Sequence, residues 1–255
     1  MTSELYQVDS MTPKERMAAF LEGKPYDRIP FNASMGDHAS RVIGIKVSEY
    51  RNSAAKMVEA QIAAYKTYKL DGVGAGGGHA AIAEAVGTIM EYPDYSTPFV
   101  KDFALKEISD LKKLEIPDPR KDGRLPIYLE ALEMLVDQVG DEAPVGTTIG
   151  GPMSMAYSLR GAENLMKDMI NNPEFVHELL DFCVRSTMPY VEEAVKLGVG
   201  IRIVDPVSSG SLIGKKYFEE FSFPYLKNLI TEISKITNPP GLHICGNTSK
   251  ILHLM

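Results

Sequence analysis

A histidine and a cysteine lie two positions apart in the run Leu-His-Ile-Cys-Gly, residues 242–246. The apolar run predicts a buried strand that stops at Gly246. Residues two apart in a strand share a face, so His243 and Cys245 should project together while Ile244 points away. An imidazole and a thiolate are two of the ligands that zinc prefers, although a zinc site takes at least three protein ligands. The alternative is that both residues only finish the strand, since free cysteine packs well in cores.

Four other side chains that could do chemistry lie near the ends of predicted strands. Asp205 ends a strand beside a proline, and Glu84 follows a glycine-rich strand exit, so both are candidate catalytic groups. His79, directly after the glycine run 76–78, and Asn247, in the loop after the last strand, are candidate substrate-binding residues. Each also has a purely structural alternative. Asp205 could be a turn residue, and Glu84 could make a helix-start contact. His79 could be an ordinary loop histidine, and Asn247 could hold the loop after Cys245.

The remaining cysteine and the glycine run have simpler interpretations. Cys183 falls on the apolar face of a predicted helix over 173–197 and is assigned to core packing. The run 76–78 lacks the Gly-x-Gly-x-x-Gly spacing and the lysine of phosphate-binding loops, so nucleotide binding is rejected.

Alternating elements must position these residues. Strands are predicted at 28–34, 70–77, 144–151, 200–206 and 242–246. Helices are predicted at 52–69, 126–139, 161–171, 173–197 and around 215–237, with a hairpin over 88–103. This alternation indicates a parallel sheet. The candidate residues follow the strands, as in a TIM barrel, whose active site lies at the carboxyl ends, although a doubly wound sheet would place ligands there too.

The composition excludes several classes of protein. The 255 residues carry a net charge of −7 and no basic run, which argues against nucleic-acid binding. No apolar stretch reaches the ~20 residues that span a bilayer, and no signal-peptide core is present, so no membrane association is expected. Two cysteines do not suggest a disulfide framework, so we expect the protein in the reducing cytoplasm.

Five segments, in order, resemble one enzyme family. They are YDRIPF (26–31), LDGVGAGGGHAAIAEAVGTIMEYPDYSTPFV (70–100), GGPMSMAYSLRGAENLMKDMINNPEFVHELLDFC (150–183), IRIVDPVSSGSLIGKKYFEEFSFPYLKNL (201–229) and LHICGNTSKIL (242–252). The sequence resembles the uroporphyrinogen decarboxylase superfamily and, within it, the corrinoid-dependent methyltransferase branch (methylcobamide:coenzyme M methyltransferases and their relatives). The last segment is the most specific, because it is similar to the one that carries two zinc ligands in that branch.

The resemblance implies a zinc-dependent methyltransferase that moves a methyl group from a methylated corrinoid to a thiol. His243 and Cys245 would hold the zinc, with a third ligand, another cysteine, expected beyond residue 255. A thiol bound to zinc loses its proton and could then attack the methyl group on cobalt, leaving Co(I). The methylcobamide would belong to a separate corrinoid protein, because the chain has no Asp-x-His-x-x-Gly corrinoid motif. Coenzyme M is the family precedent for the acceptor, and another thiol or a folate remains open.

Two alternative functions remain. One is a decarboxylase or lyase of the uroporphyrinogen decarboxylase type, without zinc. That branch carries an arginine-rich segment after its first strand and an aspartate after its second. Here Arg41 is the one arginine of the segment 32–44, and the segment 74–80 contains no aspartate or glutamate. A tetrapyrrole with many carboxylates would need several cations. The other alternative is a catalytically inactive, truncated remnant that binds a corrinoid protein.

The resemblance and the order of elements predict an α/β fold, a TIM (β/α)8-type barrel with an N-terminal helical extension. Only five barrel strands are predicted, so the C-terminal strands are missing from this chain, and 1–255 would form a single, incomplete barrel domain. An open barrel leaves unpaired edges, and each orphaned buried backbone group costs ~1–3 kcal/mol. We therefore expect a longer polypeptide or a partner chain to complete the sheet.

Overall fold

One parallel sheet and one separate hairpin contain all the strands of the part of the chain that the computed structural model describes, residues 9–255. The strands are β1 (Val73–Gly74), β2 (Ile89–Glu91), β3 (Phe99–Asp102), β4 (Val145–Gly150), β5 (Gly200–Val204) and β6 (Gly241–His243). The sheet has the order β1-β4-β5-β6, and every pair in it is parallel. The hairpin pairs β2 with β3. The predicted α/β class is thus confirmed.

Helices precede the sheet and connect its strands. They are α1 (Pro13–Leu21), α2 (Ala39–Val42), α3 (Val47–Arg51), α4 (Ala54–Tyr68), α5 (Ala81–Val86), α6 (Leu125–Val139), α7 (Pro152–Arg160), α8 (Ala162–Asn171), α9 (Pro173–Lys196), α10 (Gly214–Tyr217) and α11 (Phe223–Ser234). A π-helical turn, Phe218–Ser222, joins the last two helices. Across residues 9–255, no helix combines the length and the apolar character needed to cross a bilayer.

The segment 28–34, which was predicted to be a strand, is not part of a sheet. Its backbone makes two hydrogen bonds with Asp71, just before β1: the Asp71 amide donates to the Phe31 carbonyl over 2.7 Å, and the Phe31 amide donates to the Asp71 carboxylate over 2.6 Å. The composition of the segment favours extended backbone, but a strand needs the backbone of a neighbour along its length. Here the Phe31 amide donates to the Asp71 carboxylate and not to the backbone carbonyl of a neighbouring strand.

A cluster of ion pairs fixes the N-terminal helix against the start of β1. Arg16 of α1 is fully buried and donates hydrogen bonds to Asp27 and Asp71. Arg28 also binds Asp71, with an Nη1–Oδ2 distance of 2.6 Å. A buried guanidinium needs such partners, because an unpaired charge away from water is costly. The cluster therefore holds α1 and the segment before α2 against the start of β1.

The two faces of the sheet carry different residues. Ile149, Ile201 and Ile203 are buried in the main hydrophobic core. Small and polar residues alternate with them on the other face, where a cavity of about 600 Å³ is lined by Gly146, Thr148, Gly200 and Arg202 among others. His243 pairs with Val204, two positions from Arg202, so the pleat places it on this second face.

Candidate metal centre

The carboxyl ends of the parallel strands meet along one edge of the sheet. Gly150 at the end of β4 pairs with Val204 at the end of β5, and Val204 pairs with His243 at the end of β6. Gly78, after β1, forms a bridge with Ile149 of β4. The loops in which the candidate residues were found therefore all begin at this edge.

His243 and Cys245 lie side by side at the end of β6. The distance from His243 Nε2 to Cys245 Sγ is 3.1 Å, and both side chains are exposed. Ile244 between them is buried, with 8% of its surface accessible. The predicted strand to Gly246 is thus too long, because β6 ends at His243, but the side chains still alternate beyond it: the two donor atoms lie together on the solvent side and Ile244 lies on the core side.

The donor pair fits a zinc ion in its chemistry and spacing. With Zn–N near 2.1 Å and Zn–S near 2.3 Å, two ligands of a tetrahedral zinc lie about 3.6 Å apart. A small side-chain rotation would open the 3.1 Å separation of Nε2 and Sγ to that value. Among residues 9–255, no group of three or more His, Cys, Asp or Glu side chains is arranged to hold a metal ion. The assignment of His243 and Cys245 as ligands stays a prediction.

The turn after Cys245 is held by the loop that follows β5. Gly246 has a φ of +78°, a left-handed conformation that favours glycine. A Cβ at Gly246 would lie 2.6 Å from Ser209 Oγ and 3.1 Å from Ser211 Oγ. The Asn247 amide donates to Ser211 Oγ over 3.0 Å. The Asn247 side chain accepts from the Ser249 amide, so it stabilises this turn, and its predicted contact with substrate is untested.

Asp205, predicted as a catalytic group, is completely buried at the end of β5. Its Oδ1 accepts hydrogen bonds from the amide and the hydroxyl of Ser154, at 2.8 and 2.5 Å, and its Oδ2 accepts from Ser208 Oγ at 2.7 Å. Burial raises the pKa of the Asp205 carboxyl, while the hydrogen bonds from Ser154 and Ser208 lower it. Its amide donates to the His243 carbonyl over 2.9 Å, so Asp205 contacts the end of β6 through its backbone.

His79 lies at the same edge, after β1. Its residue surface is exposed, but neighbouring atoms partly desolvate the ring and lower its pKa, so the neutral imidazole is favoured. Its backbone runs close to β4: a Cβ at Gly150 would lie 2.4 Å from the His79 carbonyl oxygen. The side-chain hydrogen bonds of the described residues do not connect His79 to His243 or Cys245, and its predicted substrate contact is untested.

Glu84, the other predicted catalytic group, is engaged in an ion pair on α5. Arg124 donates to Glu84 Oε1, and Tyr92 OH donates to Oε2 over 2.7 Å. The Arg124 guanidinium carbon lies 3.5 Å from the centre of the Tyr92 ring, so the three side chains form one compact group. These contacts favour the structural alternative for Glu84, since both carboxylate oxygens already have donors.

The two cysteines occupy opposite environments. Cys183 on α9 is fully buried, as predicted for a core residue, and burial raises the pKa of its thiol. Cys245 is exposed and neither cysteine is in a disulfide. Of the two thiols, only that of Cys245 is open to a metal or a reagent.

Helix α7 and the serines that contact the candidate site were not predicted from the sequence. Ser154, Ser208 and Ser211 contact Asp205 or the turn after Cys245. Two sequence signals were present: Gly151-Pro152 is typical of a helix start with proline at its first position, and the run Ser208-Ser209-Gly210-Ser211 is typical of a loop. Neither signal identifies the partners of these hydroxyls.

Comparison with known proteins identifies the family. The profile of the family "Uroporphyrinogen decarboxylase (URO-D)" matches residues 12–255. The chain belongs to the uroporphyrinogen decarboxylase family.

Relatives within the family separate its branches. A methylcobamide:CoM methyltransferase, MtbA, of Methanosarcina acetivorans is 30% identical over 249 residues, which cover 96% of this chain and 73% of the relative. A uroporphyrinogen decarboxylase of Myxococcus xanthus is 28% identical over 179 residues, which cover 68% of this chain and 49% of the relative. The predicted placement in the methyltransferase branch is confirmed, and with it the prediction of a methyltransferase enzyme.

A solved structure supports the same assignment. A methyltransferase from Methanosarcina mazei superposes with a TM-score of 0.82 at 26% identity, and the match covers 96% of this chain and 73% of that one. The predicted TIM-barrel type of the uroporphyrinogen decarboxylase family is confirmed by this likeness. Within residues 9–255 the parallel strands form an open sheet and not a closed barrel.

Proposed function

We propose that this protein transfers a methyl group from a methylated corrinoid, carried by a separate corrinoid protein, to the sulfur of a small thiol, and that His243 and Cys245 are ligands of a zinc ion used in this reaction. The observation that carries the proposal is the 3.1 Å approach of Nε2 and Sγ at the rim of a family member whose relatives include methylcobamide:CoM methyltransferases. Coenzyme M, named in those relatives, is the proposed type of acceptor.

The residues of the chain would hold and orient the reacting groups. His243 and Cys245 offer one nitrogen and one sulfur from the exposed end of β6, where a carrier protein could approach. A zinc ion bound there would favour the thiolate form of the acceptor at neutral pH. The buried Ile244 and the turn at Gly246 keep this end of the strand from fraying, so that both donors face the same side.

The decarboxylase alternative has less support, because two arginines of the first third of the chain, Arg41 and Arg51, are already engaged. Arg51 is paired with Asp37 and donates to the Gly76 carbonyl over 2.9 Å. Arg41 lies over the Tyr95 ring, 5.6 Å from its centre. A substrate with several carboxylates would need several unpaired cations. These two arginines would have to exchange existing contacts for it.

Two further expectations belong to the proposal. One contiguous hydrophobic core includes residues from Ala39 to Ile251, which supports a single domain. The two free cysteines fit a reducing compartment, and we propose the cytoplasm.

Metal binding and methyl transfer test the proposal in two stages. The purified protein is titrated with Co(II), a spectroscopic substitute for zinc, and the thiolate-to-cobalt absorption band is followed. Cys245→Ser should abolish the band and His243→Ala should weaken binding strongly, because each removes one of two donors. His253→Ala removes another exposed histidine near the end of the chain and should change nothing.

The second stage adds methylcobalamin and a thiol to the zinc-loaded protein and follows demethylation of the corrinoid by its absorbance. Zinc-dependent demethylation that is lost in Cys245→Ser supports the proposal. Turnover by the metal-free protein would contradict the zinc role. Binding of the methylcorrinoid without demethylation would instead favour the alternative of a catalytically inactive remnant that binds a corrinoid protein.

A further inference from the structure

The loop after β5 lies directly against the turn that carries Cys245. We define the serine loop as residues 207–211, and it joins Asp205 to Asn247 through hydrogen bonds. We propose that the serine loop, anchored on the Asp205 carboxylate, is a positioning device that fixes the turn at Gly246 and so holds Cys245 beside His243 before any metal binds. This inference rests on the proposed metal pair and adds the residues that preorganise it.

The anchor of the serine loop is built from buried hydroxyl groups. Ser208 Oγ donates to Asp205 Oδ2 over 2.7 Å and lies 2.5 Å from Ser222 Oγ. The Val207 amide donates to Ser154 Oγ over 3.3 Å, and that hydroxyl also binds Asp205. Ser154, Ser208 and Ser222 are all fully buried, so these hydrogen bonds are shielded from competing water. The first half of the loop is therefore rigidly held.

The second half of the serine loop contacts the turn at Gly246, which follows Cys245. Ser209 Oγ accepts from the Ser211 amide over 3.2 Å, which constrains the backbone at Ser211. Ser211 Oγ then accepts from the Asn247 amide over 3.0 Å. A Cβ at Gly210 would lie 2.9 Å from the Asn247 carbonyl oxygen, so the two backbones are in close contact. The turn is thus fixed from outside its own segment.

Fixing this turn matters because Cys245 lies beyond the last paired residue of β6. The strand ends at His243, whose carbonyl accepts from Asp205, and Cys245 has no ladder partner within the described residues. A donor on an unpaired segment would sample many directions, and ordering it would cost free energy at each binding event. The serine loop removes that cost in advance, as groups around metal ligands commonly do.

The test compares Ser211→Ala with Ser211→Thr and with the control Ser249→Ala. Ser211 is exposed, so its replacement leaves the core intact, and threonine keeps the hydroxyl. Ser249 is also exposed and lies in the same turn, but only its backbone amide takes part in the hydrogen bonding there. Two quantities are measured: hydrogen–deuterium exchange of the peptide spanning 243–252 in the metal-free protein, and Co(II) affinity from the thiolate-to-cobalt band.

Faster exchange of that peptide and about tenfold weaker Co(II) binding in Ser211→Ala, both restored by Ser211→Thr and absent in Ser249→Ala, are the expected results. Unchanged exchange overturns the inference, and so does faster exchange with unchanged Co(II) affinity. If the unsubstituted protein binds no Co(II) at all, the metal site itself is wrong. Equal Co(II) affinity in the unsubstituted protein and in Ser211→Ala supports the metal site but rejects the positioning role of the serine loop.

Discussion

The carboxylate of Asp205 occupies the space next to Gly151 that a side chain there would need, and it caps the helix that Gly151 begins. A Cβ at Gly151 would lie 2.4 Å from Asp205 Oδ2. Gly151 is the residue that precedes α7 and offers no capping side chain, while Asp205 accepts from the Ser154 amide in the first turn. The capping side chain thus comes from the end of β5 and not from the residue before the helix. The positive end of the helix dipole favours the charged form of this carboxylate.

Gly151→Ala should therefore destabilise the fold by about 1–3 kcal/mol, since the added methyl group overlaps a buried side chain. Urea denaturation measures the loss. Gly146→Ala is the matched control: it also lies at β4, but a Cβ there would be 3.5 Å from its nearest neighbour, an ordinary contact. Equal stability of the two variants would contradict the packing of Asp205 against Gly151.

Asp27 should make the N-terminal cluster sensitive to acid. Hydrogen bonds from Arg16 lower the pKa of the Asp27 carboxyl, helped by backbone amides of Met11 and Ser10. A carboxyl whose folded-state pKa is depressed stabilises the fold above its unfolded pKa of about 4, and this contribution is lost as the pH falls further. Asp27→Asn should lower the free energy of unfolding at pH 7, with a difference that shrinks below pH 4.

The acid prediction is checked by denaturation at several pH values, with Asp137→Asn as the control because Asp137 is exposed on α6. A constant difference between Asp27→Asn and the unsubstituted protein from pH 7 to pH 3 would show that the Arg16 pairing does not set this titration.

Glu84 and Arg124 should couple in a double-mutant cycle. Their side chains are mostly buried, with 11% and 23% of their surfaces accessible, and they share Tyr92 as a neighbour. We expect Glu84→Gln and Arg124→Met to show a coupling energy of about 1–3 kcal/mol in denaturant unfolding. If Glu84→Gln kept full stability but lost methyl transfer, the catalytic assignment of Glu84 would be favoured over the structural one.

The two thiols should react very differently with a thiol reagent. In the folded protein only Cys245 is accessible, so one thiol should be modified rapidly, and Cys183 should react after denaturation. Added zinc should slow the modification of Cys245, because a metal-bound sulfur is less available. Cys245→Ser is the control and should leave no fast-reacting thiol; rapid labelling in that variant would mean that Cys183 is not enclosed as described.

The sequence by itself determined the local features of the protein. Strand periodicity predicted that His243 and Cys245 lie side by side, because positions two apart in an extended chain share a face, and they do so although β6 ends at His243. The alternation of strands and helices, together with the segments that resemble the family, was enough to predict the parallel α/β arrangement and the strand ends as the site. The helix around Cys183 likewise predicted its burial.

Only the tertiary structure decided what the polar residues do. Asp205 and Ser154 are 51 positions apart, and Asn247 and Ser211 are 36 apart, so no local pattern connects them. The segment 28–34 has the composition of a strand but no ladder, because pairing depends on a neighbour and Asp71 takes the Phe31 amide. Hydrogen bonds of buried polar groups are set by which elements meet, and that is settled by the packing of the whole core.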